Sequence, residues 1–389
     1  MNIPQETQLP TRDHLRHGGN LQEISNRTGI DPYQILDYSA NINPAGPPPW
    51  IKEALMAAAS RVRHYPDPDS TVLREAASQK FGLSPESFLF ADGADSLLFA
   101  LPLALGAKRC LIPVPSYSGY FRAARRAGIP AVSIRLPAEK NFSLASPEFS
   151  AALEEALDAA SPATQGVSSD TMVFLGAPNN PAGGSLPHNA LREIAGKNPG
   201  ACFVVDESFI ELSAGIPSLL DFKNSTPNAS LPPNLIVARS LTKAWAIPGA
   251  RAGFIAGNPD IIQRVRSQLP AWPLSCFAEE IALRCLGDNS YLPSTVPYLL
   301  KEADAFAASI AALGDIKVIR SSANFLLLDF ISDSRAEAVH GFLLSRGIAI
   351  RTYSPEEGLS PRYARIAVRS DRENARFLSA LRDAISATP

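Results

Sequence analysis

Short apolar runs separated by amphipathic stretches dominate the chain between residues 70 and 257. Each run holds a few nearly continuous hydrophobic residues, a pattern that favours strands buried on both faces of a sheet. Seven runs have this character: Phe88 to Ala91, Cys110 to Val114, Ala131 to Leu136, Met172 to Leu175, Cys202 to Val205, Leu235 to Ala238 and Ala252 to Ala256. Most of them are separated by amphipathic helices. The pattern predicts an α/β fold with a mainly parallel seven-stranded sheet.

The C-terminal part of the chain follows a different pattern, in which short strands come together without a helix after each one. A helix-rich link from about Ala278 to Leu313 leads into it. The predicted elements are strands at Lys317 to Arg320, Asn324 to Phe330, Ala349 to Tyr353 and Arg365 to Val368, and helices at Arg335 to Ser345 and after Ser370. Ser370 and Glu373 have the spacing of a capping box, so the last helix is expected to begin there. This pattern predicts a smaller α+β domain.

Three regions are therefore expected: an N-terminal segment (1–49), a large α/β domain (50–290) and a small α+β domain (291–389). The N-terminal segment is irregular, and we expect it to pack with the small domain and to line the active site. A helix from about Pro49 to Arg61 follows it, and the prolines of Tyr65-Pro66-Asp67-Pro68 then exclude a helix. Two polar spacers, Ser161 to Asp170 and Lys223 to Pro233, are predicted to be surface loops.

Composition narrows the class of protein. The 389 residues are 46% hydrophobic and 19% charged, which is typical of a soluble globular protein, and a net charge of -2 gives no sign of nucleic-acid binding. No apolar run is long enough to span a membrane, and Met1 to Arg16 lacks a signal-peptide hydrophobic region. The four cysteines are scattered, which favours reduced thiols in a cytoplasmic protein. His14 and His17 have no further ligands near them, so no metal is expected.

Polar residues cluster where predicted strands end, and open α/β sheets bind ligands beyond the carboxyl ends of their strands. Asp92-Gly93-Ala94-Asp95 is a glycine turn that opens a helix, so it is either a phosphate site or a simple helix cap. Asn180 lies between prolines and either binds a phenolate-type oxygen or belongs to a plain turn. Asp206 ends a buried strand and needs a cationic partner, for which a protonated pyridine nitrogen would serve.

One lysine, Lys243, follows the apolar run Leu235 to Ala238, with Ser240 three residues before it and Arg251 eight residues after it. Its ε-amine could form a Schiff base with a carbonyl cofactor, while the hydroxyl and the guanidinium hold the phosphate of that cofactor. The alternative is a surface lysine in a turn closed by Pro248-Gly249. Neither G-x-G-x-x-G nor G-x-x-x-x-G-K-[ST] occurs, which disfavours a dinucleotide fingerprint or a P-loop.

These motifs, taken together and in this order, resemble the fold-type I pyridoxal-phosphate enzymes of the aminotransferase class I/II family. The resemblance covers nearly the whole chain. It implies that Lys243 is the Schiff-base lysine, that Asp206 holds the pyridinium nitrogen and that Asn180 binds the ring hydroxyl oxygen. The remaining implied cofactor ligands are Ala94, Asp95, Ser240 and Arg251 at the phosphate, Tyr117 stacked on the ring, and Tyr65, which reaches the cofactor phosphate of a partner subunit. A homodimer is therefore expected.

Two groups within this family compete. Histidinol-phosphate aminotransferases share the Tyr-Pro-Asp-Pro and Asn-Pro motifs, but they usually carry tyrosine where this chain has Phe209. The chain looks closer to the L-threonine O-3-phosphate decarboxylases of cobalamin biosynthesis. The runs that carry this resemblance are His17-Gly18-Gly19-Asn20, Asn41-Ile42-Asn43-Pro44, Arg239 to Lys243 with Ala246-Ile247-Pro248-Gly249, and Arg365 to Ser370.

The resemblance to the decarboxylases also implies a substrate site for a small phosphorylated amino acid. Arg365 would grip the carboxylate, Arg351 with His17 would bind the phosphate, and Asn43 would line the same pocket. Solvated arginines at strand ends are the alternative for Arg351 and Arg365. The chain departs from the decarboxylases at Asp92, Ala94 and Ser96, where asparagine and two glutamates are usual, so its phosphate site is expected to differ.

Overall fold

A computed structural model describes residues 18–158, 170–221 and 231–387. His17, residues 161–169 of the first predicted spacer and residues 223–230 of the second lie outside this part of the chain. The described helices are α1 Leu21–Thr28, α2 Ile51–Ala59, α3 Thr71–Phe81, α4 Ala94–Leu105, α5 Gly119–Arg126, α6 Pro147–Asp158, α7 His188–Lys197, α8 Pro259–Arg266, α9 Cys276–Gly287, α10 Tyr291–Ala311, α11 Asp333–Ser345 and α12 Asp371–Ala387. None of these helices combines the length and the apolar character needed to cross a lipid bilayer.

The strands form one large sheet and two smaller ones. In chain order they are β1 Leu36–Asp37, β2 Phe88–Ala91, β3 Arg109–Val114, β4 Ala131–Arg135, β5 Thr171–Gly176, β6 Ala201–Asp206, β7 Leu235–Ser240, β8 Gly253–Ala256, β9 Lys317–Arg320, β10 Phe325–Asp329, β11 Ile348–Ala349, β12 Arg351–Thr352 and β13 Tyr363–Ala367. The large sheet has the order β2-β8-β7-β6-β5-β3-β4. In this sheet β8 runs antiparallel to both of its neighbours, β2 and β7, and the other pairs are parallel. The predicted mainly parallel seven-stranded sheet is confirmed.

Helices cover both faces of the large sheet, and this explains why its strands are apolar at almost every position. Along β5, Val173 and Leu175 belong to one hydrophobic core, while Met172 and Phe174 belong to the other. Neighbouring side chains of a strand point to opposite faces, so a strand between two cores needs apolar residues in both phases. The two central strands β6 and β7 extend to Asp206 and Ser240, so both polar residues end strands.

The C-terminal strands form an antiparallel sheet in the order β12-β13-β10-β9. One prediction in this region was wrong in detail, because the single strand expected at Ala349 to Tyr353 is two short strands. The first, β11, pairs in parallel with β1, and the second, β12, pairs with β13. The chain therefore changes from one sheet to another at Ile350. The capping box is confirmed: Ser370 N donates to Glu373 Oε2 at 3.2 Å, and Glu373 N donates to Ser370 Oγ at 3.4 Å.

Candidate active site

A cleft lies at the carboxyl ends of the central strands of the large sheet and encloses about 570 Å³, including its open mouth. Eight of the predicted cofactor residues line it together: Ala94, Asp95, Tyr117, Asn180, Asp206, Ser240, Lys243 and Arg251. Six further lining residues complete its wall: Gly93, Tyr120, Pro178, Ser208, Phe209 and Thr242. Residues from five separate segments of the chain thus converge on one cleft.

Lys243 lies just beyond β7, where the chain leaves the sheet. The backbone of the N-terminal segment fixes this turn, because Asn43 N donates to the carbonyl oxygen of Lys243 at 3.0 Å. The side-chain Nζ lies 5.1 Å from the ring centre of Phe209 and makes no hydrogen bond within the described residues. Burial lowers the pKa of Lys243, against the opposing effect of Asp206 and Asp95. A buried amine with a lowered pKa is more often neutral and therefore nucleophilic.

Asp206 is the last residue of β6, and both of its carboxylate oxygens are held by donors from the protein. Ser208 N donates to Oδ1 at 2.9 Å, and the hydroxyl of Tyr120 donates to Oδ2 at 3.0 Å. The side chain is buried but forms no ion pair within the described part of the chain. The carboxylate lines the cleft, which agrees with the expectation that a cationic ligand group completes the site.

The first turn of α4 forms an anion-binding end of the cleft. Gly93 has a φ of 105°, which favours glycine, and a Cβ atom there would lie 2.7 Å from the guanidinium of Arg251. The missing side chain thus lets Arg251 pack directly on the start of the helix. The hydroxyls of Ser240 and Thr242 are 2.8 Å apart on the opposite side of this end. Backbone N-H groups, a helix N-terminus, a guanidinium and two hydroxyls are typical of a phosphate site.

The carboxylate of Asp95 has a different partner from the one expected. The hydroxyl of Tyr117 donates to its Oδ1 and Oδ2 at 2.9 and 3.0 Å. Because a carboxylate repels an anion, we assign any phosphate contact of Asp95 to its backbone N-H rather than to its side chain. Burial and the neighbouring Asp95 raise the pKa of Tyr117 well above its ordinary value, so the phenol remains a donor.

Asn180 connects the cleft to the C-terminal sheet. Its Oδ1 accepts a hydrogen bond from Arg365 on β13 at 2.7 Å. Because the carbonyl end of the amide faces Arg365, the NH2 end is left as a donor at the cleft. Arg365 also donates to the carbonyl oxygen of Ser39, and its Nε is buried without a partner in the described residues. Burial lowers the pKa of Arg365 without removing its charge.

Arg351 lies beside Arg365, because the two residues are register partners on β12 and β13. Its guanidinium forms an ion pair with Glu357 and lies 4.8 Å from the ring centre of Tyr353. It lines a second pocket, next to Gly18 and Ser39, rather than the main cleft. The two arginines thus lie opposite each other on neighbouring strands, and within the described residues a carboxylate pairs with Arg351 but not with Arg365.

Two further predicted residues, Tyr65 and Asn43, also do not line the cleft. Tyr65 is 79% exposed and stacks on Trp272, with ring centres 4.2 Å apart. Asn43 is buried, and its Nδ2 donates to the carbonyl of Ala244 and to Thr295. Asn43 therefore holds the backbone at and after Lys243. His17 cannot be placed, since it lies outside the described residues.

The sequence prediction missed three residues that the structure brings forward. Tyr120 and Thr242 line the cleft, and Asn41 is buried with neither amide atom hydrogen-bonded in the described residues. Tyr120 follows Tyr117 by three residues, a helical spacing that could have placed both on one face. Thr242 directly precedes Lys243 and follows Ser240 by two residues. For Asn41, the sequence signal was its position two residues before Asn43, which was predicted to line the substrate pocket.

Comparison with known proteins agrees with this geometry. The family described as aminotransferase class I and II matches residues 33–381, so the chain belongs to that family. It is 32% identical over 365 residues to the adenosylcobalamin biosynthesis bifunctional protein CobDQ of Leptospira interrogans, covering 94% of this chain but only 40% of that longer protein. It is 31% identical over 377 residues to the threonine-phosphate decarboxylase of Salmonella typhimurium, covering 95% of this chain and 96% of that one.

Solved structures give the same fold. The histidinol-phosphate aminotransferase of Clostridium acetobutylicum has a TM-score of 0.78 and 26% identity, covering 91% of this chain and 100% of that one. The histidinol-phosphate aminotransferase of Sinorhizobium meliloti, solved in complex with pyridoxal 5'-phosphate, has a TM-score of 0.79 and 22% identity, covering 95% of each chain. The expected fold type I architecture and the expected cofactor, pyridoxal 5'-phosphate, are confirmed.

The chemistry of the cleft fits this cofactor. The anion-binding end around Gly93 and Arg251 suits its phosphate, and the carboxylate of Asp206 suits its ring nitrogen. Lys243 lies between these two ends, with an amine that has no hydrogen-bond partner in the described residues. Each polar group of the cofactor therefore has a complementary group in the cleft.

Proposed function

We propose that the protein decarboxylates L-threonine O-3-phosphate, or L-serine O-phosphate, to an amino-alcohol phosphate for the cobalamin nucleotide loop. The product would be (R)-1-amino-2-propanol O-2-phosphate or ethanolamine phosphate. The observation that carries the proposal is the register pair Arg351 and Arg365. Arg365 contacts Asn180 of the cofactor cleft and Arg351 lines the second pocket, so the pair suits a substrate with two anionic groups. Similarity to a threonine-phosphate decarboxylase over nearly the full length of both chains supports the choice of reaction.

Within the proposed site, Lys243 supplies the covalent attachment point and Asp206 keeps a proton at the ring nitrogen. When bound, pyridoxal 5'-phosphate acts as an electron sink for the bond at Cα that stands perpendicular to its ring. Asn180 donates from Nδ2 to the ring oxygen, and Tyr117 covers one face of the ring. Each of these side chains lines the cleft in the structure.

Arg365 is the proposed carboxylate ligand, because its hydrogen bond to Asn180 brings it to the edge of the ring site. Arg351, together with His17, is the proposed phosphate ligand. Asn41, whose buried amide lies in the segment between Ser39 and Asn43, is proposed as a neutral partner of the same substrate. These residues would hold the substrate so that its Cα–carboxylate bond is the one that breaks; carbon dioxide would leave without the electron pair of that bond, which the bound cofactor would accept. Lys243 would return a proton to Cα.

The alternative is an aminotransferase acting on histidinol phosphate or a related amine. Similarity to the Clostridium acetobutylicum histidinol-phosphate aminotransferase favours it, and the same cofactor residues would serve both reactions. The two reactions differ in the bond that is perpendicular to the ring, since a Cα hydrogen in that position leads to transamination. They also differ in co-substrate, because transamination needs a keto acid.

The deciding experiment incubates the purified, cofactor-loaded protein with threonine phosphate, serine phosphate or histidinol phosphate, each with and without 2-oxoglutarate. Phosphorus NMR identifies the products, and trapped carbon dioxide is measured in parallel. We expect one carbon dioxide for each amino-alcohol phosphate formed, without 2-oxoglutarate. Turnover that requires 2-oxoglutarate and releases no carbon dioxide would show an aminotransferase instead. Serine and threonine phosphate differ by one methyl group, so we expect their kcat/KM values to differ by roughly 10- to 200-fold.

A further inference from the structure

Tyr120, which the sequence prediction passed over, is fixed on three sides inside the cleft wall. It lies in the first turn of α5 and is only 2% exposed. Its ring stacks on Phe174 of β5, with ring centres 5.0 Å apart and planes 5° from parallel. The edge-on ring of Tyr117 is 5.5 Å away on another side. A ring packed in this way has one position available to its hydroxyl, because rotation would break both aromatic contacts.

That hydroxyl points at Asp206, to which it donates a hydrogen bond of 3.0 Å. Burial and the neighbouring Asp206 raise the pKa of Tyr120 well above its ordinary value, so it stays protonated and can only be the donor. The backbone N-H of Ser208 holds the other carboxylate oxygen. The carboxylate plane is therefore set by two fixed donors.

We infer that Tyr120 is a positioning residue that holds the carboxylate of Asp206 in one orientation for the ring nitrogen of the cofactor. The packing against Phe174 and Tyr117 transmits the rigidity of the sheet to that carboxylate. The inference rests on the cofactor of the family and not on the proposed decarboxylation, so its test needs no substrate. A negative result for the role of Tyr120 would therefore not argue against the proposed decarboxylation, and the reverse also holds.

The test compares Tyr120→Phe with Tyr38→Phe. Tyr38 is a matched control, because it is also fully buried and its hydroxyl also donates one hydrogen bond of 3.0 Å, to Asn374, away from the cleft. The measurements are the dissociation constant of pyridoxal 5'-phosphate for the apo-protein, the visible circular dichroism of the bound cofactor per unit absorbance, and the melting temperature. Visible circular dichroism reports how rigidly the cofactor is held, which a loss of overall stability alone would not change.

We expect Tyr120→Phe to raise the cofactor dissociation constant about tenfold, as the loss of a hydrogen bond to a charged group implies, and to reduce the visible circular dichroism. Tyr38→Phe should lower the melting temperature to a similar extent and leave both cofactor measurements unchanged. Unchanged cofactor affinity and circular dichroism in Tyr120→Phe would overturn the inference. Equal changes in both variants would overturn it too, since they would indicate a structural role only.

A double-mutant cycle tests whether the effect passes through Asp206. Asp206→Asn keeps the size of the side chain and removes its charge. In that background, Tyr120→Phe should change the cofactor dissociation constant by less than about threefold, because a hydrogen bond to a neutral acceptor contributes less. A tenfold change that persists in the Asp206→Asn background would show that Tyr120 acts on the cofactor by another route and would contradict the inference. The melting temperatures of the apo-proteins verify that all four proteins fold.

Discussion

At the scale of single residues, burial gives several side chains of the cleft their chemical character. Burial lowers the pKa of Lys243, while Asp206 and Asp95 oppose this effect only in part. Tyr117 and Tyr120 remain protonated donors for the same reason. An amine with a lowered pKa and carboxylates held by protein donors thus line one cleft, an arrangement that open solvent would not provide.

Lys243→Ala should remove covalent attachment of the cofactor and lower turnover at least about a thousandfold, because no other amine of the described cleft replaces the nucleophile. Absorption of the protein after reduction with borohydride measures the attachment. Lys301→Ala on α10, which lies outside the cleft, serves as the control and should bind the cofactor normally. Retained absorption and turnover in Lys243→Ala would remove Lys243 from its proposed role.

The lowered pKa of Lys243 makes a separate prediction for the wild-type protein. Because the amine loses its proton at a lower pH than free lysine, whose pKa is about 10.4, the neutral form is present over a wider range. The rate at which apo-protein captures pyridoxal 5'-phosphate should therefore reach its plateau at a lower pH than the reaction of the cofactor with N-acetyl-lysine. Stopped-flow absorbance measures both rates. Coincident profiles would contradict the lowered pKa.

Arg365→Met should raise KM for the phosphorylated amino acid roughly 10- to 100-fold, which corresponds to the loss of hydrogen bonds to a charged group. Arg362→Met is a matched control from the same part of the chain, where the arginine contacts Asp329 and Tyr363 outside the cleft. Steady-state kinetics and a melting curve of each variant separate binding from folding. Equal KM values for the two variants would exclude Arg365 as the carboxylate ligand.

At the scale of elements, a buried ion network joins the ends of β6 and β7 directly behind the cleft. Arg239 Nε donates to Glu207 Oε2 at 2.9 Å, and the same guanidinium pairs with Glu211 and contacts Ser218. Glu207 follows Asp206 and Arg239 precedes Ser240, so each charged residue is the neighbour of a cleft residue. Buried pairs of this kind are weak evidence for stability, but removing one partner leaves an uncompensated charge.

Arg239→Met should therefore lower the free energy of unfolding by about 3 to 5 kcal/mol, whereas the double variant Arg239→Met with Glu207→Gln should recover a large part of that loss. Urea denaturation of the apo-proteins measures this free energy of unfolding. The exposed pair Lys197 and Glu193 is the control, and Lys197→Met should cost no more than about 1 kcal/mol. A loss of less than 1 kcal/mol in Arg239→Met would show that water reaches this network.

At the scale of the whole molecule, Tyr65 and Trp272 stack on each other at the surface, and packing within one chain does not explain their exposure. Large aromatic side chains exposed together often mark a contact surface. We expect a homodimer in which Tyr65 reaches the partner's cofactor phosphate. Sedimentation equilibrium should then give twice the chain mass of 41.6 kDa.

Tyr65→Phe should raise the cofactor dissociation constant about tenfold although Tyr65 does not line the cleft of its own chain, because it would remove a hydrogen bond to the phosphate. Tyr33, which is 98% exposed, provides the matched control in Tyr33→Phe. A monomeric protein, or equal cofactor affinity in both variants, would exclude this arrangement.

The sequence by itself determined the strands and the local cofactor motifs. Nearly continuous apolar runs predicted all seven strands of the large sheet. They do so because helices cover both faces of the sheet, so side chains that point to either face are apolar. The cofactor residues Asp206 and Lys243 follow such runs, and the carboxyl ends of parallel strands meet at one edge of a sheet. Their convergence could therefore be predicted without knowing any side-chain contact.

Only the tertiary structure decided which partners these residues take. The Arg365 to Asn180 bond joins residues 185 positions apart, and the Tyr120 to Asp206 bond joins residues 86 positions apart. Neither follows from local pattern, since both depend on how the sheets and helices pack. The structure likewise turned the Asp95 carboxylate towards Tyr117 and joined Asn43 to the backbone at and after Lys243. Hydrogen bonds require atoms within about 3 Å, a precision that strand and helix periodicity does not carry.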